Sequence, residues 1–146
     1  MFIVKSLPFI FLALLALSAS ANSEDEAVAA EGEGQAPVAA IYIPLKPQFV
    51  VNYGGALGKA HFLKAEVTLR LADSEAASSV RHHLPYIRNN LVMAFASQTN
   101  ETLQSQDGRE ALRVLALSEI REIIKREDGI DGEKVVDVLF NKFTWH

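Results

Sequence analysis

HFLKAEVTLRL (61–71) is the segment on which the architecture turns. Leu63, Ala65, Val67, Leu69 and Leu71 alternate with Lys64, Glu66, Thr68 and Arg70. A chain pleated with period two carries the first set on one face and the second on the other, whereas a helix would scatter both around its circumference. The segment reads as a β-strand with one dry face, and a dry face needs a second layer to cover it.

Upstream, IYIPLKPQFVVNYGG (41–55) holds Pro44 and Pro47, which exclude a helix, and the Phe49-Val50-Val51 run suits a first short strand. NYGGALG (52–58) follows with three glycines, a turn whose backbone can reach positive φ. Together these predict a hairpin between residues 48 and 72. The G-x-x-x-G spacing of Gly54 and Gly58 carries no weight outside an apolar helix.

Downstream, Asp73 or Ser74 can accept a hydrogen bond from the free amides of a helix that continues through EAASSVRHH (75–83). Pro85 then marks a kink or a new start. In LPYIRNNLVMAFASQTNETLQSQDGREALR (84–113), Ile87, Leu91, Ala94 and Phe95 share one helix face, with Arg88, Asn89 and Asn90 on others. The stretch 98–107 is polar except for Leu103, and Ser105 or Asp107 can cap a second helix from about Gly108 to Glu127. Leu112, Leu115, Ile120, Ile123 and Ile124 form its apolar stripe, Glu122 and Arg126 are placed for an i, i+4 pair, and Gly129 and Gly132 stop it. VVDVLFNKFTWH (135–146), rich in Val, Phe and Trp, reads as a third strand. The predicted fold is α+β: a small, mostly antiparallel sheet with long helices packed on one face.

Two segments precede this domain. Residues 1–21 have one positive charge, Lys5, an apolar run from Leu7 to Leu17 and small residues ending Ala19-Ser20-Ala21, the three regions of a secretory signal with a cut after Ala21. An uncleaved anchor is the rival reading, since no charge falls between Ser6 and Asn22, although Pro8 weakens it. Residues 22–40 carry Glu24, Asp25, Glu26, Glu31 and Glu33 with no Lys or Arg, and few large apolar groups. Such a segment is read as an acidic flexible linker, able to span on the order of 60 Å at about 3.3 Å per residue. The domain at 41–146 is neutral, with 13 acidic and 13 basic residues, and lacks the basic cluster that nucleic acid requires.

Reactive chemistry has little to build on. There is no cysteine, hence no disulfide and no thiolate ligand. Of the four histidines, His82 and His83 are adjacent and would point about 100° apart on a helix, while His61 and His146 lie elsewhere in the chain. All four read as solvent-facing or partly covered imidazoles, short of the three or four ligands of a zinc site. Ser78, Ser79 and His82 lie one turn apart but lack a third, orienting group, and no serine sits in a G-x-S-x-G setting. Phe140, Phe143 and Trp145 at strand spacing read as core before binding surface. No cofactor is expected.

Four stretches, YIPLKPQFVVN (42–52), FLKAEVTLRL (62–71), the whole of 84–113 and VLFNKFTW (138–145), resemble in order the flagellar basal-body-associated FliL family. The resemblance implies a stomatin-like α+β module in the periplasm and a non-enzymatic role at the inner membrane. Its partners would be flagellar stator and basal-body proteins, with ring-type homo-oligomers. Family members usually open with a full transmembrane helix, from which the short leader here, with Pro8 and Ala-Ser-Ala, departs. Arg88, Asn89 and Arg113 are the candidate protein contacts, as charged or amide groups beside an apolar face. The competing readings are a periplasmic module holding a small ligand between helices and sheet, and a metal protein or enzyme built on the histidines.

Overall fold

A computed structural model of the chain describes residues 39–54 and 61–146. The leader, nearly all of the acidic linker and most of the glycine turn lie outside the described residues. Within them the order is β1 (Ile41–Pro44), β2 (Phe49–Tyr53), β3 (His61–Leu71), α1 (Ser74–His82), α2 (Leu84–Ala96), α3 (Asn100–Gln104), α4 (Gln106–Asp128), a 3-10 turn (Gly132–Lys134) and β4 (Val135–Trp145).

The alternating segment is the centre of the sheet. β3 pairs antiparallel with β4 along one edge, and with β2 (Phe49 opposite Ala65) and β1 (Pro44 opposite Thr68) along the other. β1 and β2 are thus two pieces of one interrupted column, in which residues 45–48 oppose only 66 and 67. The Leu45 amide still donates to the Val67 carbonyl at 2.8 Å, but Pro47, without an N–H, cannot continue the ladder. This is why IYIP forms a strand that the sequence reading passed over: its prolines sit at the end of β1 and in the bulge, where no ladder bond is lost.

β4 is bulged too. Its register against β3 shifts between Glu66 and Val67 and again between Arg70 and Leu71, leaving Asn141 and Val136 as extra residues. As a result Val135, Val138, Phe140, Phe143 and Trp145 all oppose apolar residues of β3 despite their uneven spacing. Leu63, Ala65, Val67, Leu69 and Leu71 are at most 2% exposed, and the helices cover this face alone, α2 against β2, α4 against β4, and α1 against β1 and β3. Each buried Leu stabilises the fold by roughly 1.5–3 kcal/mol.

Local signals set the helix ends. Asp73, rather than Ser74, caps α1, its Oδ1 accepting from the Ala76 amide at 2.9 Å. Pro85 begins a new helix, sitting in the first turn of α2 where its missing N–H costs nothing. The polar break is itself the short helix α3, capped by Thr99 and pinned by fully buried Leu103. Ser105 ends α3 and caps α4, accepting from the Gly108 amide at 3.0 Å, so α4 starts two residues before Gly108. Gly129, at φ 68°, closes α4, with the amides of Gly129 and Ile130 donating back to the carbonyls of Lys125 and Ile124.

Two expectations for α4 fail. Leu115 is 40% exposed, and the buried stripe runs Leu112, Ala116, Ile120, Ile123, Ile124, because steps of four from Leu112 and to Ile120 select position 116 whatever its size. Arg126 does not join Glu122; its guanidinium bonds Glu127 Oε1 at 3.0 Å and the Tyr86 hydroxyl of α2 at 2.5 Å.

Candidate contact surface

The residues that could carry chemistry are dispersed. His61 opens β3 with Nδ1 3.1 Å from the His146 carbonyl, while His82 and His83 meet edge-on at the α1–α2 corner with ring centroids 4.7 Å apart. Among the described residues no group of three or more His, Asp or Glu could hold a metal ion. Ser79 is 4% exposed and donates to Asp128 Oδ2, not to His82, so its hydroxyl is spent on helix packing. Ser78 and His82 are exposed beside it.

Charged groups on the sheet edges and helix ends are largely committed inward. Arg113 binds both Glu110 Oε1 (2.6 Å) and Asp137; the guanidinium holds the Glu110 carboxyl below the usual carboxylate range, and the two acids raise Arg113 in turn. Lys134 ties Glu75 and Asp73 of the α1 entry to the 3-10 turn and is pushed up to about 12 by those two carboxylates. Asp73 is lowered, first by the Ala76 amide it caps and then by Lys134. Burial raises the Tyr53 hydroxyl, which donates to Asn100 Oδ1 at 2.8 Å and so fastens β2 to α3.

The three predicted contact residues do not converge. Arg88 lies over the Phe49 ring, 4.2 Å from its centroid, and donates to the Leu45 carbonyl at 3.1 Å, holding α2 to the bulged β1–β2 column. Arg113 holds α4 to β4 at the opposite edge. Asn89 is exposed, with no side-chain hydrogen bond among the described residues.

Apolar side chains are exposed on both long helices. On α2, Val92 and Met93 are 36% and 66% exposed; on α4, Val114 and Leu115 are 50% and 40% exposed. The two helices run antiparallel, with Tyr86 against Arg126 and Asn90 Nδ2 donating to Glu119 Oε2 at 3.1 Å. One further turn along each brings position 93 alongside 115. Met93 and Leu115 therefore mark one outer surface of the helix layer, with Asn89 a turn away from Met93 on α2. The signal for Met93 is in the sequence: it is a large apolar residue off the 87–91–94–95 stripe.

Phe140, Phe143 and Trp145 form a partly buried aromatic row packed against the core, brought to one face by the bulge at Asn141. Phe140 meets Phe95 at 6.0 Å and stacks on Phe143 at 5.1 Å, and Arg109 covers Trp145 at 5.4 Å. A groove of about 430 Å³ lies beside this row, lined in part by Arg113, and another of about 670 Å³ lies at the bend over residues 44–48, lined in part by Asn141. Both of those polar groups are already paired, Arg113 with its two acids and Asn141 with Thr68 Oγ1 at 2.6 Å. Lys46, Gln48 and Glu66 also line the larger groove, and Gln106 and Asp107 the smaller.

The model of the family described as "Flagellar basal body-associated protein FliL" matches residues 42–145. The Flagellar protein FliL of Aquifex aeolicus (strain VF5) is 26% identical over 108 residues, covering 74% of this chain and 63% of that protein. That of Escherichia coli (strain K12) is 30% identical over 97 residues, covering 65% of this chain and 58% of that protein. The chain therefore spans about three fifths of the length of the relatives it matches.

Proposed function

The chain belongs to the FliL family of flagellar basal-body-associated proteins, and on that premise we propose that it associates with the motor's stator units and supports flagellar rotation without catalysing a reaction. The observation that carries this reading is the family match from 42 to 145, which takes in both the sheet and the helix layer. The arrangement of side chains supports it. Potential reactive groups are dispersed or committed to internal bonds, while Met93, Leu115, Val92 and Val114 put apolar area on the outside of the helices. Exposed apolar side chains beside polar groups are what protein partners bury.

In this reading the Met93–Leu115 surface meets the partner and Asn89 supplies a polar contact at its rim. Arg88 and Arg113 act from beneath, fixing the two helices to opposite sheet edges. The same helix layer is available for self-association into a ring. The domain would work in the periplasm at the inner membrane. No helix among the described residues is long and apolar enough to cross a membrane, so attachment or release would rest with residues 1–21, by retention of the segment or by cleavage after Ala21.

Deleting the gene tests the proposal. Swimming speed in viscous medium should fall, with filament number preserved, and the wild-type copy should restore the speed. Unchanged motility under load would remove the reading.

A further inference from the structure

The central strand β3 meets extra residues at the same level on both of its sides. Between the pairs Pro44–Thr68 and Phe49–Ala65, residues 45–48 oppose only 66 and 67; between the pairs Lys142–Glu66 and Phe140–Val67, the extra residue is Asn141. One bulge would bend the sheet along a single edge. Two bulges facing the same two residues of β3 part both neighbouring columns there, and the groove of about 670 Å³ lies over that spot. It opens on the sheet face away from the helices, because Glu66 and Thr68 in its wall alternate with the buried Val67 and Leu69 on the covered face.

The polar groups of this groove are of opposite kinds. Glu66 is half-buried while Lys46 and Gln48 are exposed, and none of the three side chains has a hydrogen bond or ion pair among the described residues. Lys142 stands opposite Glu66 in the register yet forms no ion pair with it. Asn141 Nδ2 donates to Thr68 Oγ1 at 2.6 Å, which leaves Asn141 Oδ1 as an acceptor and the Thr68 hydroxyl proton as a donor. Pro44 and Pro47 supply apolar rings on a stiffened stretch of backbone.

We infer that this groove binds a short zwitterionic peptide of two or three residues, its ammonium on Glu66, its carboxylate on Lys46 and its peptide groups on the Gln48, Asn141 and Thr68 side chains. The volume lies within the range of pockets that hold small molecules, about 300–1,000 Å³. A lone anion or cation would leave the opposite charge of the site unanswered. A nucleobase would need an aromatic ring to stack on, and none lines the groove. Amides and a hydroxyl beside the two charges offer both donors and acceptors, as a peptide's own N–H and C=O groups require. The groove and the Met93–Leu115 surface lie on opposite sides of the sheet, so the peptide does not compete with a protein bound to the helices.

NMR spectra of the isotope-labelled full chain, titrated with trialanine, test the site. Amide shifts should gather at 45–48, 66–68 and 141–142 and saturate with a dissociation constant of about 1 mM or below. N-acetyl-trialanine lacks the ammonium and trialanine amide lacks the carboxylate. Each should bind about fivefold more weakly or worse, as the loss of one partly exposed ion pair implies. Glu66→Gln should weaken trialanine to the same degree and lose nothing more on acetylation of the peptide; Lys46→Met should respond in the same way to amidation. The two blocked peptides keep the test open on the wild-type chain even where a variant does not fold. No saturable shift by about 10 mM trialanine, shifts centred elsewhere, or blocked peptides that bind as well as trialanine would each overturn the assignment.

Discussion

Replacing Gly108 by alanine sets two forces against each other, and the structure decides the sign. Helix propensity alone favours alanine by up to about 1 kcal/mol, because glycine loses more backbone freedom when ordered. But a Cβ on Gly108 would lie 2.1 Å from the Thr102 carbonyl oxygen and 2.6 Å from Ser105 Oγ. Carbon and oxygen need roughly 3.3 Å or more, so α3 would have to move by about 1 Å from the first turn of α4. That shift loosens the Ser105 cap, worth about 1 kcal/mol, and the Arg109 bonds to the carbonyls of Leu103 (2.9 Å) and Gln104 (3.1 Å). It also strains the seat of fully buried Leu103, adding an overpacking cost of about 1–3 kcal/mol. The net expectation is a loss of about 2 kcal/mol, or a melting temperature lower by on the order of 10 °C. Urea unfolding followed by circular dichroism, with an unchanged slope, would measure it. An alanine variant as stable as the parent, or more stable, would show that α3 does not pack on α4 in this way.

Other substitutions probe separate features. Phe95→Ala removes a fully buried ring that meets Phe49 edge-on at 5.3 Å, and should cost about 3–5 kcal/mol in the same denaturation assay. Gly129→Ala meets no neighbouring atom but must hold a left-handed backbone, so it should cost about 1 kcal/mol, less than Gly108→Ala. The carboxyls of Asp73, Glu110 and Asp128 are all lowered by their partners, so their contribution is present above the unfolded values near 4 and is lost as pH falls through the lower folded values. Asp73→Asn keeps a cap but removes the charge facing Lys134, and should flatten the acid limb of a stability-versus-pH curve. Arg113→Lys, which cannot span Glu110 and Asp137 as a fork, should destabilise the attachment of α4 to β4, seen as faster amide exchange in β4.

Where local rules suffice, the fold was legible in the sequence. Period-two alternation placed β3, capping side chains at 73–74 and 105–107 marked helix entries between which the structure chose Asp73 and Ser105, and Pro85 and Gly129 marked boundaries, because each acts through its own few neighbours. The unread parts depend on long-range packing. β4 defies alternation because bulges at Val136 and Asn141 re-aim its aromatic residues, and a bulge has no fixed side-chain signature. Ala116 displaced Leu115 from the predicted stripe, since helix geometry and not side-chain size selects the buried position. The short helix α3 looked like a polar break because one buried leucine, Leu103, is its whole core contact.

The contact surface was half legible. Arg88, Asn89 and Arg113 were chosen as polar groups beside apolar faces, and the two arginines proved to be tied to the sheet on opposite sides. Whether a charged side chain looks outward or inward depends on partners such as Leu45 and Asp137, tens of residues away or on another element. Met93 needed the helix pairing to acquire meaning: an off-stripe methionine is ordinary until the neighbouring helix puts Leu115 beside it.

The rotation speed of motors driving a large bead tests the central claim most directly. Cells would carry either Met93→Glu with Leu115→Glu on the helix face, or Val50→Glu on the open sheet face, at wild-type abundance. The helix-face pair should slow the loaded motor towards the speed of the deletion strain, while Val50→Glu leaves it near wild type. Equal speeds in all three, or slowing by Val50→Glu alone, would contradict the assignment of function to the helix surface.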